Sequence, residues 1–209
     1  MLYLSHKGAI IAAFAALVLN QAAPTANART LDAVHVSVGE TTRAPAGWAQ
    51  FCRDNPGECG KGSTEPRDVV LTPEAWRDLQ RVNRWVNETI EPLTDQDQWG
   101  VVEHWSYPDT GKGDCEDYAL LKRRMLIEAG WPREALLMTV AIDEEGGGHA
   151  VLTVKTDRGD FILDNVHDDI LLWSKTKLQF VRRQSQSNPD VWVGLSDPRP
   201  VVATARARR

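Results

Sequence analysis

Two kinds of hydrophobic pattern divide the chain, and the change falls near residue 130. In "LTPEAWRDLQRVNRWVNETIEPL" (71–93), Ala75, Trp76, Leu79, Val82, Val86 and Ile90 recur at helical spacing until Pro92. Thr72 can cap this helix, and Pro73 suits the first helical position, where its missing N–H costs nothing. A second stripe of Cys115, Tyr118, Ala119, Leu121, Met125, Leu126 and Ala129 predicts a helix over 114–129, stopped by Gly130 and Pro132. Beyond it the apolar runs shorten. "LLMTVAI" (136–142), "AVLTVKT" (150–156) and "DFILD" (160–164), joined by "DEEGGG" and "DRG", predict an antiparallel meander, with further strands at 177–183 and 191–195. Helices first and strands afterwards indicate an α+β fold. Residues 29–71 carry Gly, Pro and polar clusters with little periodicity and are expected to form an irregular arm. The segment 95–113 is expected to be a loop, with a short strand or turn around Trp99 to Trp105, and 196–209 a mobile basic tail.

The first residues change this picture. Lys7 precedes an 11-residue apolar run from Ala9 to Leu19, followed by Ala26-Asn27-Ala28, the pattern of a secretory signal cleaved after residue 28. The expectation is a periplasmic or secreted protein whose remaining 181 residues suffice for one domain. Removing Lys7 takes the net charge from −5 to −6, an acidic balance that argues against nucleic acid as the main partner.

In an oxidising compartment, "CRDNPGEC" reads as a small disulfide loop between Cys52 and Cys59, because Asn-Pro-Gly turns the chain back within the spacing. A zinc pair is the weaker alternative, since no second Cys or His pair lies nearby, and two free thiols is the plainest one. Cys115 is then the odd thiol. It opens the second helix, where partial positive charge and unpaired N–H groups favour a thiolate. His149 heads one strand and Asp164 ends the next. A hairpin centred near Arg158 and Gly159 returns Asp164 close to His149, so Cys115, His149 and Asp164 can form a nucleophile, a base and its orienter. Each has a plain alternative: a core cysteine, a half-buried histidine, a turn aspartate. Of the other imidazoles, His104 is read as structural, and His167 in "NVHDD" lacks a second histidine at ligand spacing.

"WGVVEHWSYPDTGKGDCEDYALLKRRMLIEAGWP", "GGGHAVLTV" and "FILDNV", in this order, resemble the bacterial transglutaminase-like cysteine peptidases of the LapG type over about residues 72–195. The resemblance implies a papain/transglutaminase-like α+β fold, with a nucleophile-bearing helix packed on an antiparallel sheet. It also implies a Cys115–His149–Asp164 triad and a calcium ion held by Asp114, Glu116 and Asp117. The implied substrate is a large surface adhesin, and the implied regulator is a membrane receptor that senses cyclic di-GMP. Calcium takes six to eight oxygen ligands, so backbone carbonyls, waters or Asp95, Asp97 and Asp109 would complete such a site. A divalent ion would also reverse the field of three carboxylates that otherwise oppose a thiolate. The plain alternative for "DCED" is a capping Asp114 with Glu116 and Asp117 complementing the helix dipole. The Trp105 indole N–H is a candidate oxyanion donor, or else a core tryptophan. Two other functions fit the same residues: acyl transfer to an amine, and a cleft that binds without catalysis.

Overall fold

The computed structural model describes residues 34–59 and 65–199. The expected signal segment at 1–28 lies outside these residues, as does the tail beyond 199.

Helix α1 (Ala46–Asp54) is followed by α2 (Pro73–Thr89), which begins as its sequence predicts: Thr72 Oγ1 accepts from Ala75 N–H at 3.1 Å, with Pro73 next. Leu79, Val82 and Val86 lie on one buried stripe, each contributing roughly 1.5–3 kcal/mol relative to exposure. The helix ends three residues before Pro92, because proline biases its predecessor towards extended backbone and Ile90 turns into the core. Glu91–Pro92 (β2) then pairs in parallel with Lys112–Gly113 (β3). Between them lies a short helix, α3 (Asp95–Trp99), where a loop was expected. Thr94 caps it by accepting from Asp97 N–H, and Gly100 ends it at φ 73°, a left-handed conformation that suits glycine.

The second predicted helix is α4 (Cys115–Glu128). It ends in a left-handed Gly130, with Trp131 N–H returned to the Leu126 carbonyl. It is buried on nearly every side, Lys122 and Arg123 included, so it lies at the centre of the described residues.

Seven strands form one sheet: β1 (Ser37–Thr42), β4 (Leu136–Ile142), β5 (Gly148–Thr156), β6 (Gly159–Leu163), β7 (Leu171–Leu172), β8 (Gln179–Gln184) and β9 (Trp192–Ser196). Their spatial order is β1-β9-β8-β4-β5-β6-β7, with antiparallel neighbours throughout. The meander β4-β5-β6 matches the sequence expectation, while β8 adds to the other side of β4. Ala150, Leu152 and Val154 of β5 face the core built on α2 and α4. Val151 alternates onto the opposite face, with Ala141, Ile162, Trp173, Leu178 and Phe180.

Two expectations need correction. The 29–71 arm is not irregular within its described part: it holds edge strand β1 and helix α1, whose Trp48 and Phe51 are buried. The exposed "SVGETT" shows no apolar alternation to announce a strand. Residues 197–199 are not a mobile tail either. The Arg199 guanidinium bonds Asp197 and the carbonyls of Trp173, Thr176 and Leu178.

Candidate active site

Strand β3 delivers the chain to the head of α4. Asp114 is extended and Cys115 takes the first helical position. The half-buried Cys115 Sγ accepts from Ala150 N–H of β5 at 3.3 Å, and its S–H is donated to Glu116 Oε2 at 3.2 Å. Among the described residues no hydrogen bond joins Sγ to an imidazole. Burial, then the Glu116 charge, push the thiol well above its ordinary pKa.

His149 precedes Ala150, so the strand residue that touches the sulfur adjoins the histidine. Leu152 pairs with Leu163. Continuing that register sets Asp164 opposite Val151, one diagonal step from His149 on the same face. His149 Nε2 and Asp164 Oδ1 lie 2.8 Å apart, and Val166 N–H is donated to the same oxygen at 3.0 Å. The turn sits one step earlier than the sequence suggested, with Thr156 opposite Gly159. Burial alone would raise the Asp164 pKa, but the His149 hydrogen bond and charge hold it below the usual carboxylate value. With Nε2 engaged, Nδ1 is the ring nitrogen left for proton exchange. Behind the pair, a cleft of about 660 Å³ is lined by His149, Ile162, Asp164, His167 and Leu178.

On the other side of Cys115, Asp95, Asp114 and Glu116 each place a carboxylate oxygen within 4.8 Å of the others. Asp114 Oδ2 accepts from Asp95 N–H at 3.1 Å rather than capping its own helix, and Asp95 Oδ2 accepts from His104 N–H. Burial first, then Asp114, raise Glu116 to about 9, and burial raises Asp95 as well. Asp95 Oδ1 and Asp114 Oδ1 are buried without a hydrogen-bond partner.

A family model for the bacterial transglutaminase-like cysteine proteinases matches residues 38–200. The chain belongs to this family. This cysteine peptidase is similar in structure to calcium-bound LapG of Legionella pneumophila, at 26% identity and a TM-score of 0.50, over 59% of this chain and 71% of that one. The EGTA-treated form of the same protein aligns at 26% identity and a TM-score of 0.49, over 59% and 72% of the two chains. Comparison with curated proteins gives no match. The sheet packed on a nucleophile-type helix is the transglutaminase-like peptidase fold.

In this peptidase the acidic pocket departs from the sequence expectation in its third member. Asp117 is not one of the three close carboxylates, although it lies near enough for Asp114 and Asp95 to raise its pKa. Its Oδ1 accepts from Ser106 N–H at 2.8 Å, and its carboxylate occupies the space where a Gly113 side chain would begin, 2.5 Å from that position. Burial raises its pKa to about 7. Asp95 stands in the cluster instead, delivered by helix α3. Asp97 is turned to Thr94 Oγ1, and the exposed Asp109 lies 3.9 Å from Arg124. Three close oxygens, two unpartnered buried ones nearby and an excess of negative charge fit a hard divalent cation.

Trp105 also differs from the oxyanion expectation. It is buried against Trp48, Trp192 and Gly47, and its indole N–H is donated to Glu103 Oε1 at 2.8 Å. His104 packs its ring on Trp99. Cys52 and Cys59 are joined as a disulfide, with Cα atoms 5.5 Å apart. Glu58 in that loop accepts from Arg123 of α4 at 2.9 Å and Arg133 at 2.6 Å, tying it to the helix that begins at Cys115.

Proposed function

We propose that Cys115, His149 and Asp164 hydrolyse a peptide bond as nucleophile, general acid–base and orienting carboxylate. The observation that carries this reading is the 2.8 Å His149–Asp164 bond one residue from the strand N–H that touches Cys115 Sγ. His149 Nδ1 takes the thiol proton, and the sulfur attacks the peptide carbonyl carbon to form a tetrahedral adduct. Backbone N–H groups in the first turn of α4 donate to its oxyanion. The imidazolium then protonates the departing amine, leaving a thioester. His149 next deprotonates water, which attacks that thioester and releases the acid and the thiol.

Asp95, Asp114 and Glu116 would hold calcium. The ion would supply positive charge beside a thiol that burial, then Glu116 and Asp114, otherwise keep protonated. A Glu116 engaged as ligand no longer accepts the S–H, which leaves that proton to the imidazole. The peptide N-terminus, with Lys7, its apolar run and Ala26-Asn27-Ala28, supports export to the periplasm or beyond. The substrate is then a periplasmic or surface protein, such as a large adhesin, and the regulator a cyclic di-GMP-sensing membrane receptor; both rest on the likeness to LapG-type peptidases. Comparing protein N-termini from cells carrying wild type or Cys115→Ala tests the reading. At least one surface-protein N-terminus is expected to depend on Cys115, and finding none overturns it.

A further inference from the structure

Asp164 leaves β6 for a segment without regular structure, so the strand ladder does not fix it alone. Its side chain is held by His149 and Val166. Its main-chain carbonyl is held separately, by one donor from each of two helices: Asn87 Nδ2 of α2 at 3.0 Å and Lys122 Nζ of α4 at 2.9 Å. Asn87 Nδ2 also reaches Asp168 Oδ1 at 2.9 Å, and Asn83 Nδ2 donates to the Asp168 carbonyl at 3.0 Å. Four residues apart, Asn83 and Asn87 share the face of α2 that grips this segment.

Lys122 is the unusual member of the clamp. Its side chain is fully buried, and desolvation lowers its pKa to about 7 although Asp164 and Asp168 pull it upwards. A methionine of similar length would fill the same space without the cost of burying an amine. What lysine adds is a donor and a charge directed at the back of Asp164. Cys115 and Lys122 stand seven residues apart, nearly two turns, and so share one face of α4 about 10 Å apart along its axis.

We infer that Lys122, assisted by Asn87, is a positioning residue that fixes Asp164 and hence the His149 ring relative to Cys115. One rigid helix thereby sets the place of both the nucleophile and the carboxylate that orients its base. The inference rests on the reading of Cys115, His149 and Asp164 as the reacting groups, and its test is separable from that reading.

The full chain is prepared as wild type, Lys122→Met, Asn87→Ala and the double variant, in calcium-containing buffer. Iodoacetamide serves as probe, because Cys115 is the one free cysteine. The His149 ring nitrogens are followed by NMR. Lys122→Met is expected to slow alkylation at neutral pH about tenfold and to move the His149 signals. Asn87→Ala is expected to do so less, and the double variant by less than the product of the two. On a peptide substrate, kcat should fall with KM unchanged. Leu126→Ala, a core substitution in the same helix, controls for lost stability and should leave alkylation unchanged below its melting temperature. Should Lys122→Met fail to fold, Asn87→Ala carries the test. Alkylation within twofold of wild type and unmoved His149 signals in the folded variants overturn the inference. If the signals move but no protein is cleaved by wild type, the clamp stands and the peptidase roles fail. If the signals stay while Asp164→Asn abolishes cleavage, the reverse holds.

Discussion

Glu116 lets the metal site be weighed through stability alone. Burial first, then the Asp114 charge, raise its pKa from 4.5 to about 9 in the metal-free chain. At about 1.36 kcal/mol for each tenfold change in acidity, that rise corresponds to about 6 kcal/mol. The folded state holds this proton more tightly than the unfolded one. The associated stability is therefore fully present below about pH 4.5 and is lost as pH climbs through about 9. Asp117, raised to about 7, and Asp95 act in the same direction. Glu116→Gln cannot ionise, so in chelator-dialysed protein its advantage over wild type should be small at pH 5 and reach several kcal/mol by pH 9. At roughly 2–4 °C per kcal/mol for a chain of this size, the gap in melting temperature is on the order of 10 °C. Calcium should narrow that gap. Wild type gains about 2.7 kcal/mol at a hundredfold excess over Kd, and Glu116→Gln far less. Melting scans at pH 5, 7 and 9, with and without calcium, read both effects. Superimposable curves for the two proteins at pH 9 without metal, or equal calcium responses, would refute the reasoning.

Asp164→Asn should lower kcat by on the order of 10³-fold or more, measured on any cleaved substrate, because the imidazolium loses its partner. Since the Asp164 pKa is depressed, its contribution to stability is present above the unfolded carboxylate value and lost as pH falls. The variant and wild type should thus converge in melting temperature under acid. Trp105→Phe should cost about 1 kcal/mol in denaturant melts through the lost Glu103 bond while leaving kcat unchanged; a large fall in kcat would restore the indole as an oxyanion donor. Replacing Cys52 and Cys59 by serine should cost about 2–3 kcal/mol, as expected for so short a closed loop, and equal stability would refute that assignment. Mass spectrometry of products with and without added amine distinguishes hydrolysis from acyl transfer.

The central frame was legible wherever a local rule and a tertiary role agree. Thr72-Pro73 marks one helix start, Gly130 one helix end, and the β4-β5-β6 turns lie where Gly and Asp cluster. Cys115, His149 and Asp164 stood out because a helix head and a hairpin register are both readable locally, and the register does set Asp164 beside His149. Contacts between distant segments were not legible. Nothing local in "SVGETT" shows that it edges the sheet against β9. The α3 helix did leave a signal, Thr94 three residues before Asp97 with Gly100 after Trp99, and reading it would have set Asp95 apart from Asp97 and Asp109, the other completing ligands the sequence offered. No spacing rule separates Asp117 from Glu116, since their difference lies in the approach of Gly113 and Ser106. Lys122 was equally hidden: a lysine in an amphipathic stripe ordinarily points to water.

The pairing of β1 with β9 joins residues 37–42 to 192–196, almost the full span of the described chain. During synthesis the first strand emerges long before its partner exists, and β8, the neighbour of β9, is also made late. The sheet thus cannot close along that edge until residues 192–196 have left the ribosome. Early segments must wait in an open state, held only by local helices and the β4-β5-β6 meander. Such a chain remains threadable through a narrow channel until its last strand is released, and closing the sheet is then a single late event.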